Sequence, residues 1–574
     1  MDKKQISALL KEMGLLLELK GANPFKIRAH ENAARALDGL SENLATIAAA
    51  GKLTDIQGIG KGIAEKINLL LAGEKLAELE ALREEIPAGL LDIARIPGVG
   101  PKKTRALWEE QGIDSVAALE AAARNNHLAS MKGFGQKTQE KILHNIDLMR
   151  KFQDSHLLSQ ALEAGTALLA ALRDLNGVIR CEIAGSLRRS KEVVKDIDIV
   201  VSAEEADRPA IMDFFTTLPE VASISGKGET KSSIVLESGI NADLRIVSDT
   251  QFPYTLHHFT GSREHNVALR GRAQKMGMKV SEWGLFKGEE LVSCADEADI
   301  YRALGLNFIP PELRENYGEI EAAEQGNLPE LIRAEDIRGM IHTHSTWSDG
   351  ANTLEEMVRG CRDLGYDYLV ISDHSKAAAY ANGLSVERIG RQHEEIERIN
   401  AETEGFRVLK SIECDILSDG RLDYDDEVLA TFDLVIISIH SKFNMTEAEA
   451  TDRIIKAMEN PFSTILGHMT GRLLLAREGY PVNQQAVIDA AADLGVCIEI
   501  NANPRRLDLD WRFCKYARDK GVTIAINPDA HRISGFGDMQ YGLGIARKGW
   551  LEKQHVLNCR SAEEVIAFAA RRRT

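Results

Sequence analysis

Cysteine is scarce in this chain. Seven thiols, at 181, 294, 361, 414, 497, 514 and 559, are odd in number and form no Cys-x-x-Cys pair. That argues against a disulfide framework and fits a reducing cytoplasm, with the thiols as small buried hydrophobes. Long apolar runs are missing too: no stretch of 18 apolar residues occurs, so no membrane span is expected. The start, Met1-Asp2-Lys3-Lys4, leads into an amphipathic helix pattern (Ile6, Leu9, Leu10, Met13, Leu16, Leu17) and lacks a signal-peptide core. Positive charge is also short, and the net charge of −17 argues against a generic nucleic-acid coat protein. Local phosphate binding stays open, because it depends on where basic groups cluster. What remains is an ordinary soluble composition, 27% charged and 44% hydrophobic, in a chain of 574 residues that is too long for one core.

The most chemically loaded stretch is Gly185-Ser186-Leu187-Arg188-Arg189, followed by Asp196-Ile197-Asp198 and later Asp243-Leu244-Arg245. Asp196 to Val201 reads as a strand rich in β-branched residues. Alternate residues of a strand face the same way, so Asp196 and Asp198 share one face while Ile197 and Ile199 enter the core. Asn241 to Val247 alternates likewise and is expected as a neighbouring strand carrying a third carboxylate. Three carboxylates there make a hard, oxygen-lined site suited to two Mg²⁺ ions, beside a phosphate-binding turn. That combination suits in-line phosphoryl transfer. A bare Asp-x-Asp is more often a solvated strand edge. Here the turn, the Asp-x-Asp and the third Asp stand in nucleotidyltransferase order and spacing.

This pattern resembles the family X DNA polymerases, the family of DNA polymerase beta. The resemblance implies that Gly185, Ser186 and Arg189 hold the incoming triphosphate, and that Asp196 and Asp198 bind two ions, Mg²⁺ or Mn²⁺. Asp243 would bind the catalytic ion and help activate the primer 3′-hydroxyl. The segment His257-His258-Phe259-Thr260-Gly261-Ser262-Arg263-Glu264-His265-Asn266 resembles the family's thumb, with Phe259, Gly261 and Ser262 under the nucleotide sugar and base. Asn266 matches a residue at the minor-groove edge of the base, and Arg270 one that tracks the template. Two departures stand out: His258 replaces a tyrosine of vertebrate members, and Asn241 replaces a basic residue two places before the third Asp.

Residues 1–150 repeat one design at Ile56-Gln57-Gly58-Ile59-Gly60, Ile96-Pro97-Gly98-Val99-Gly100 and Met131-Lys132-Gly133-Phe134-Gly135, each followed at once by a helical pattern. The glycines (58, 60, 98, 100, 133 and 135) allow a tight turn, and the helix N-terminus behind it offers free N–H groups to a DNA backbone. These look like helix-hairpin-helix motifs. The first two resemble the lyase and fingers regions of DNA polymerase beta. On that resemblance Lys66 is the Schiff-base nucleophile for a 5′-deoxyribose phosphate, and Lys26 binds the 5′-phosphate. A second hairpin lysine of vertebrate members is Gly62 here, with Lys61 one place earlier.

Residues 338–574 repeat a different design. Short apolar runs end in His342-Thr343-His344, Asp373-His374, Glu413, His440, His468, Asn501 and Asp529-Ala530-His531, with helical patterns between them, such as Leu354 to Leu364 and Asn483 to Leu494. Strand–helix repeats with polar residues at the strand ends imply a parallel barrel whose site lies on its C-terminal face, and seven strands give a (β/α)₇ barrel. The ligand order, with Asp349 between the first two groups, resembles the PHP (polymerase and histidinol phosphatase) domain. That family holds up to three ions, Mn²⁺ or Zn²⁺, and hydrolyses phosphoesters. Carried over, His342, His344, Glu413 and Asp529 bind one ion. Glu413 and His440 reach a second with His468 nearby, and Asp349, His374 and His531 bind a third.

The expected organisation is a multidomain α+β and α/β chain. It comprises a helical lyase-like domain (1–85), a fingers-like domain (86–150), a nucleotidyltransferase palm (151–250), a thumb (251–318), a linker (319–337) and a PHP domain (338–574). The expected activity is gap-filling DNA synthesis in base-excision repair, with 3′–5′ exonuclease or 3′-end trimming by the PHP domain and 5′-deoxyribose-phosphate lyase chemistry at Lys66. Its partners would be gapped or nicked DNA with a 5′-phosphate and dNTPs. The protein would act as a monomer in a bacterial cytoplasm, at the nucleoid. Two other readings are a PHP phosphoesterase on small phosphate esters with a vestigial polymerase part, and a non-catalytic DNA-end scaffold.

Overall fold

A computed structural model describes residues 1, 3–40, 43–131 and 133–573. Lys132 of the third glycine segment lies outside them. The chain forms two compact units, Met1–Gln153 and Asp154–Thr574. Among the described residues no helix is long and apolar enough to cross a membrane. All seven cysteines are buried and free.

The first unit is helical, and its glycine segments are turns into helices. Gly58, Gly98 and Gly133 take left-handed backbone, with φ of +96°, +86° and +89°, which side chains disfavour. The apolar residue between each pair of glycines points inward: Ile59, Val99 and Phe134 are all buried. Each turn then opens a helix, Lys61–Leu71, Gly100–Gln111 or Gln136–Lys151.

The second unit begins with a five-stranded mixed sheet: β1 (Val178–Ile183), β2 (Asp196–Ala203), β3 (Val221–Lys227), β4 (Lys231–Leu236) and β5 (Asn241–Val247). Their spatial order is β1-β2-β5-β4-β3, and β2 pairs with β5 in parallel register, Asp198 directly across from Asp243. Helices Phe252–Thr260 and Arg263–Lys275 follow, then a small three-stranded sheet. Residues 319–337, expected as a linker, carry the helix Glu319–Gln325 and bury Ile320, Ala323, Leu331 and Ile332.

The barrel is a parallel sheet of seven strands in sequence order: β6 (Gly339–Thr343), β7 (Tyr368–Ile371), β8 (Arg407–Asp415), β9 (Leu434–Ser438), β10 (Ser463–Leu466), β11 (Cys497–Asn501) and β12 (Ile524–Asn527). These are the seven apolar runs. They read as continuous rather than alternating because both faces of a parallel sheet are covered. The residues after β12 return to β6: His344 N–H donates to the Ala530 carbonyl at 2.8 Å, and Ala530 N–H to that of His342 at 3.3 Å.

One apolar core runs through the mixed sheet (Ile197, Phe215, Leu244) and into the barrel (Met340, Ile412, Ile526). A buried ionic knot ties them as well. Lys548, at the end of the barrel helix Met539–Lys548, is 1% exposed. Its Nζ donates to Glu315 Oε1 at 2.5 Å and to the Arg189 carbonyl at 3.0 Å, while Arg189 Nε donates to the same Glu315 oxygen at 3.0 Å. Burial brings the Lys548 ammonium down to about 8, with Glu315 opposing the fall. Removing one partner of a buried pair strands the other charge. Lys548→Met is therefore expected to destabilise the second unit by about 3 kcal/mol, read as a lower urea midpoint.

Candidate metal centres and phosphate-facing turns

The mixed sheet brings Asp196, Asp198 and Asp243 onto one face of two adjacent strands. Asp243 is held from the next strand, β4: Ser233 Oγ donates to its Oδ1 at 2.6 Å, and Lys231 Nζ lies 2.7 Å from its Oδ2. Burial, reinforced by Asp196 and Asp243, lifts the Asp198 carboxyl from 3.8 to about 7. Asp196, on the open rim, is raised too, by partial desolvation and by Asp243. Arg245, Lys231 and Lys195 offset the three carboxylates only in part, and their burial and mutual repulsion leave a demand for positive charge.

The Gly-Ser turn stands directly on this cluster. A Cβ at Gly185, where φ is +65°, would lie 2.2 Å from Asp198 Oδ2, so only glycine fits. Ser186 follows in the same short helical turn, half-buried. Arg189, expected at the triphosphate, is buried, and its Nη1 donates to the Thr260 carbonyl at 2.5 Å in addition to the Glu315 bond. Its neighbour Arg188 donates to Thr260 Oγ1 at 2.7 Å and to Glu297 at 2.6 Å, a carboxylate that Arg314 shares at 2.5 Å. Both arginines thus hold the Thr260-Gly261-Ser262 turn.

The remaining thumb residues are gathered around that turn. Ser262 Oγ caps the next helix by accepting from His265 N–H at 3.2 Å, and Asn266 Nδ2 donates to the His258 carbonyl at 2.8 Å. Arg270 Nε donates to the Asn266 carbonyl at 3.1 Å. The Phe259 ring lies 3.8 Å beneath the Arg245 guanidinium, two residues beyond Asp243 on β5. His258 faces Glu282 at 3.3 Å.

In the barrel, Glu413 is the point of convergence. Its Oε1 lies 2.9 Å from His468 Nε2, 3.1 Å from His440 Nε2 and 3.3 Å from His342 Nε2, and its Oε2 lies 3.0 Å from His374 Nδ1. Asp529 Oδ1 faces His344 Nε2 at 3.2 Å and His342 Nε2 at 3.7 Å. Three groups have ligand atoms close enough to share an ion: His342, His344 and Asp529; His374, Glu413 and His440; and His344, Asp349, His374 and His531 at the mouth. Neighbouring groups therefore share His344 and His374. His342 and Asp529 both hold left-handed backbone, φ of +62° and +51°, at a cost of roughly 1–2 kcal/mol each.

Burial alone would lift the Glu413 carboxyl and lower the histidines, but their proximity overrides it. His440, His342 and His374 hold Glu413 well below the carboxylate range, and Glu413 with Asp415 pushes His440 up to about 10. Buried ring nitrogens without a hydrogen-bond partner, including His342 Nε2 and both nitrogens of His344, are what ligand positions look like. His-and-carboxylate donors suit Zn²⁺ or Mn²⁺.

Of the residues that orient these ligands, Glu499 and Asp415 escaped the sequence, and Asp373 stood there only as a strand-end group. Glu499, fully buried, accepts from His342 Nδ1 at 2.6 Å, Asn527 at 2.7 Å, Asn501 at 2.8 Å and the His468 N–H at 3.0 Å. It fixes the His342 tautomer so that Nε2 faces the cluster. Asp415 does the same for His440 at 3.1 Å. Asp373 accepts from Ser345, Ser348 and Gln392 and pins the loop after His344. A charged residue inside the apolar run Cys497-Ile498-Glu499-Ile500 was the available signal.

In the helical unit, a Cβ placed on Gly60, Gly98, Gly100, Gly133 or Gly135 would meet nothing within 4 Å, so these turns are open outward; at Gly58 the nearest atom is the Asn32 carbonyl oxygen at 3.4 Å. Lys26 and Lys66, far apart in sequence, meet at Glu78.

Family models match four segments of this chain. The helix-hairpin-helix domain covers residues 1–76, the SAM-like helix-hairpin-helix tandem 90–145, the DNA polymerase beta thumb 255–315 and the PHP domain 341–503. A DNA polymerase/3′-5′ exonuclease PolX of Bacillus subtilis (strain 168) is 40% identical over 100% of both chains. A probable phosphatase of Thermoanaerobacter sp. (strain X514) is 29% identical over 38% of this chain and 88% of its own. DNA polymerase lambda of Rattus norvegicus is 23% identical over 49% of this chain and 52% of its own.

Two measurements follow from the geometry. Asp198 keeps its proton to about pH 7 in the metal-free fold but only to its ordinary 3.8 when unfolded, so its contribution to stability is whole below 3.8 and gone above about 7. Asp198→Asn is expected to raise the metal-free melting temperature at pH 8 by on the order of 2 °C and to flatten its fall between pH 4 and 7, by calorimetry. Glu499→Gln is expected to weaken metal binding by about 10- to 100-fold, by titration calorimetry with Mn²⁺.

Proposed function

We propose a function on one premise: the chain belongs to the bacterial family X DNA polymerases that carry a C-terminal PHP domain. It is a DNA-directed DNA polymerase with a 3′–5′ exonuclease in the same chain, and it serves DNA repair by filling short gaps. The observation that carries the reading is the coexistence of two ligand sets in one folded unit: Asp198 in register with Asp243, and the histidines around Glu413.

In this reading Asp196, Asp198 and Asp243 hold two ions, Mg²⁺ or Mn²⁺, and the barrel ligands hold up to three, Mn²⁺ or Zn²⁺. Divalent ions in such sites acidify an attacking hydroxyl and neutralise phosphate charge. The protein supplies position. Ser233 and Lys231 aim the Asp243 carboxylate, from which the primer 3′-hydroxyl is activated. Gly185 and Ser186 present backbone N–H groups to the triphosphate, and Arg189 supports that pocket through the Thr260 carbonyl. Phe259, Gly261, Ser262 and Asn266 seat the sugar and base, His258 and Arg270 flank them, and Arg270 follows the template.

The outward-open glycine turns grip the backbone of gapped or nicked DNA, with Lys26 at the 5′-phosphate and Lys66 as the lyase nucleophile. In the barrel, Glu499 and Asp415 keep His342 and His440 as ligands with their Nε2 atoms inward. The enzyme acts as a monomer in the cytoplasm, at the nucleoid. Its domains are a lyase-like domain (1–85), a fingers-like domain (86–150), a palm (151–250), a thumb (251–318) and a PHP domain (338–574), the last two joined by the packed stretch 319–337.

A 5′-labelled primer on one-nucleotide-gapped DNA with a 5′-phosphate, in Mn²⁺ with or without dNTPs, tests both sites at once. Asp196→Ala with Asp198→Ala is expected to abolish extension and keep shortening. His342→Ala with His344→Ala is expected to do the reverse. Shortening that survives the histidine changes would place the nuclease outside the barrel, and wild type that never extends would refute the polymerase assignment.

A further inference from the structure

The lysine pair of the helical unit has an occupant. Glu78, on the helix Ala77–Glu85, accepts from Lys66 Nζ through Oε2 at 2.6 Å and from Lys26 Nζ through Oε1. Lys66 Nζ also lies 3.0 Å from His30 Nε2, and His30 Nδ1 lies 2.8 Å from the Lys26 carbonyl. A carbonyl only accepts, so the ring proton sits on Nδ1 and Nε2 offers its lone pair to Lys66. Phe25, 77% exposed, projects beside Lys26, with the Arg28 guanidinium 5.4 Å from its ring centre. An exposed ring among cations is the arrangement that stacks on a nucleic-acid base.

Two ammonium groups converging on a half-exposed site repel each other, and a single carboxylate between them relieves the repulsion. Partial burial would raise that carboxyl, but hydrogen bonds from Lys26 and Lys66 bring it to about 2, so it is an anion at any working pH. A 5′-phosphate monoester presents the same chemistry more strongly, with roughly −1.5 to −2 charges and three acceptor oxygens against one charge and two oxygens.

We propose that Glu78 is an internal stand-in for the 5′-phosphate of a DNA end: it occupies Lys26 and Lys66 in the free protein and yields both when a 5′-phosphate monoester arrives. Exchange is easy because half-exposed ion pairs are weak. While Glu78 holds it, Lys66 Nζ has its hydrogens committed to the carboxylate.

The chemical step rests on the reading of Lys66 as the lyase nucleophile. The amine lone pair forms a C–N bond to the sugar C1′ aldehyde, and the C=O bond breaks. The carbonyl oxygen takes the two protons that the nitrogen sheds, and leaves as water. Ammonium plus aldehyde thus give a protonated imine plus one water. Glu78 thereby keeps Lys66 engaged until an end that carries a 5′-phosphate displaces it.

The test uses the full chain without divalent metal. Anisotropy compares one-nucleotide-gapped DNA carrying a downstream 5′-phosphate or 5′-hydroxyl, and the readout is the ratio of the two dissociation constants. That ratio cancels the general effect of removing a negative charge near DNA. Glu78→Gln is expected to increase the preference for the 5′-phosphate by about two- to thirtyfold, the worth of two such ion pairs. Glu78→Asp, one methylene too short to reach both lysines, is expected to shift it in the same direction and serves if the first variant folds poorly. A preference unchanged or reduced in both variants would overturn the proposal. Borohydride trapping on a 5′-deoxyribose phosphate separates the two readings. Trapping that persists in Lys66→Ala removes Lys66 as nucleophile and the chemical step with it, while the binding ratio still decides whether Glu78 occupies the phosphate seat.

Discussion

Glu315 sits between Lys548 and Arg189 with almost no water to share. Three buried charges are tolerable only when each is paired and hydrogen-bonded, and that requirement fixes the relative placement of three segments. Lys548 comes from the barrel, Arg189 from the Gly-Ser turn and Glu315 from the stretch that joins them. Arg189 then reaches the Thr260 carbonyl, and Arg188 reaches the Thr260 hydroxyl and Glu297, which Arg314 completes. The Thr260-Gly261-Ser262 turn is therefore held by directional, low-dielectric bonds rather than by apolar packing, which tolerates sliding. Barrel and mixed sheet share one scaffold, held by this knot and by the apolar core around it.

The two metal centres solve opposite versions of one problem. On the mixed sheet three carboxylates crowd together, and Arg245, Lys231 and Lys195 offset them only in part, so the cluster is strained until more positive charge arrives. In the barrel a single carboxylate, Glu413, faces five histidines, and the metal-free cluster is partly neutralised by its own protons. Binding an ion there releases protons. Both sites spend stability on function, as left-handed backbone at His342 and Asp529 also shows. The helical unit repeats the theme with the signs reversed: two lysines are kept together by Glu78, in a site fitted to an anion.

Much of this was legible in local pattern. Seven apolar runs, six ending in histidine or carboxylate and one in Asn501, announce a barrel with candidate ligands at its strand ends, because strand length and side-chain direction are short-range properties. The same holds for Asp196 and Asp198 on one face, for Asn241–Val247 as the adjacent strand, and for the glycine turns, where left-handed φ excludes most other residues. What the sequence could not show is which charges meet. Arg188 and Arg189 after a Gly-Ser turn look alike on paper, yet both are drawn to Thr260. Glu499, Lys231 and Glu78 belong to no motif of the sequence, but each completes a site built by another segment. The sequence by itself determined the elements, their faces and the inventory of candidate ligands, since these depend on neighbours a few residues away. The tertiary structure alone decided the pairing of charges, since long-range Coulomb and hydrogen-bond partners are chosen only when distant segments are brought within about 3 Å of each other and out of water.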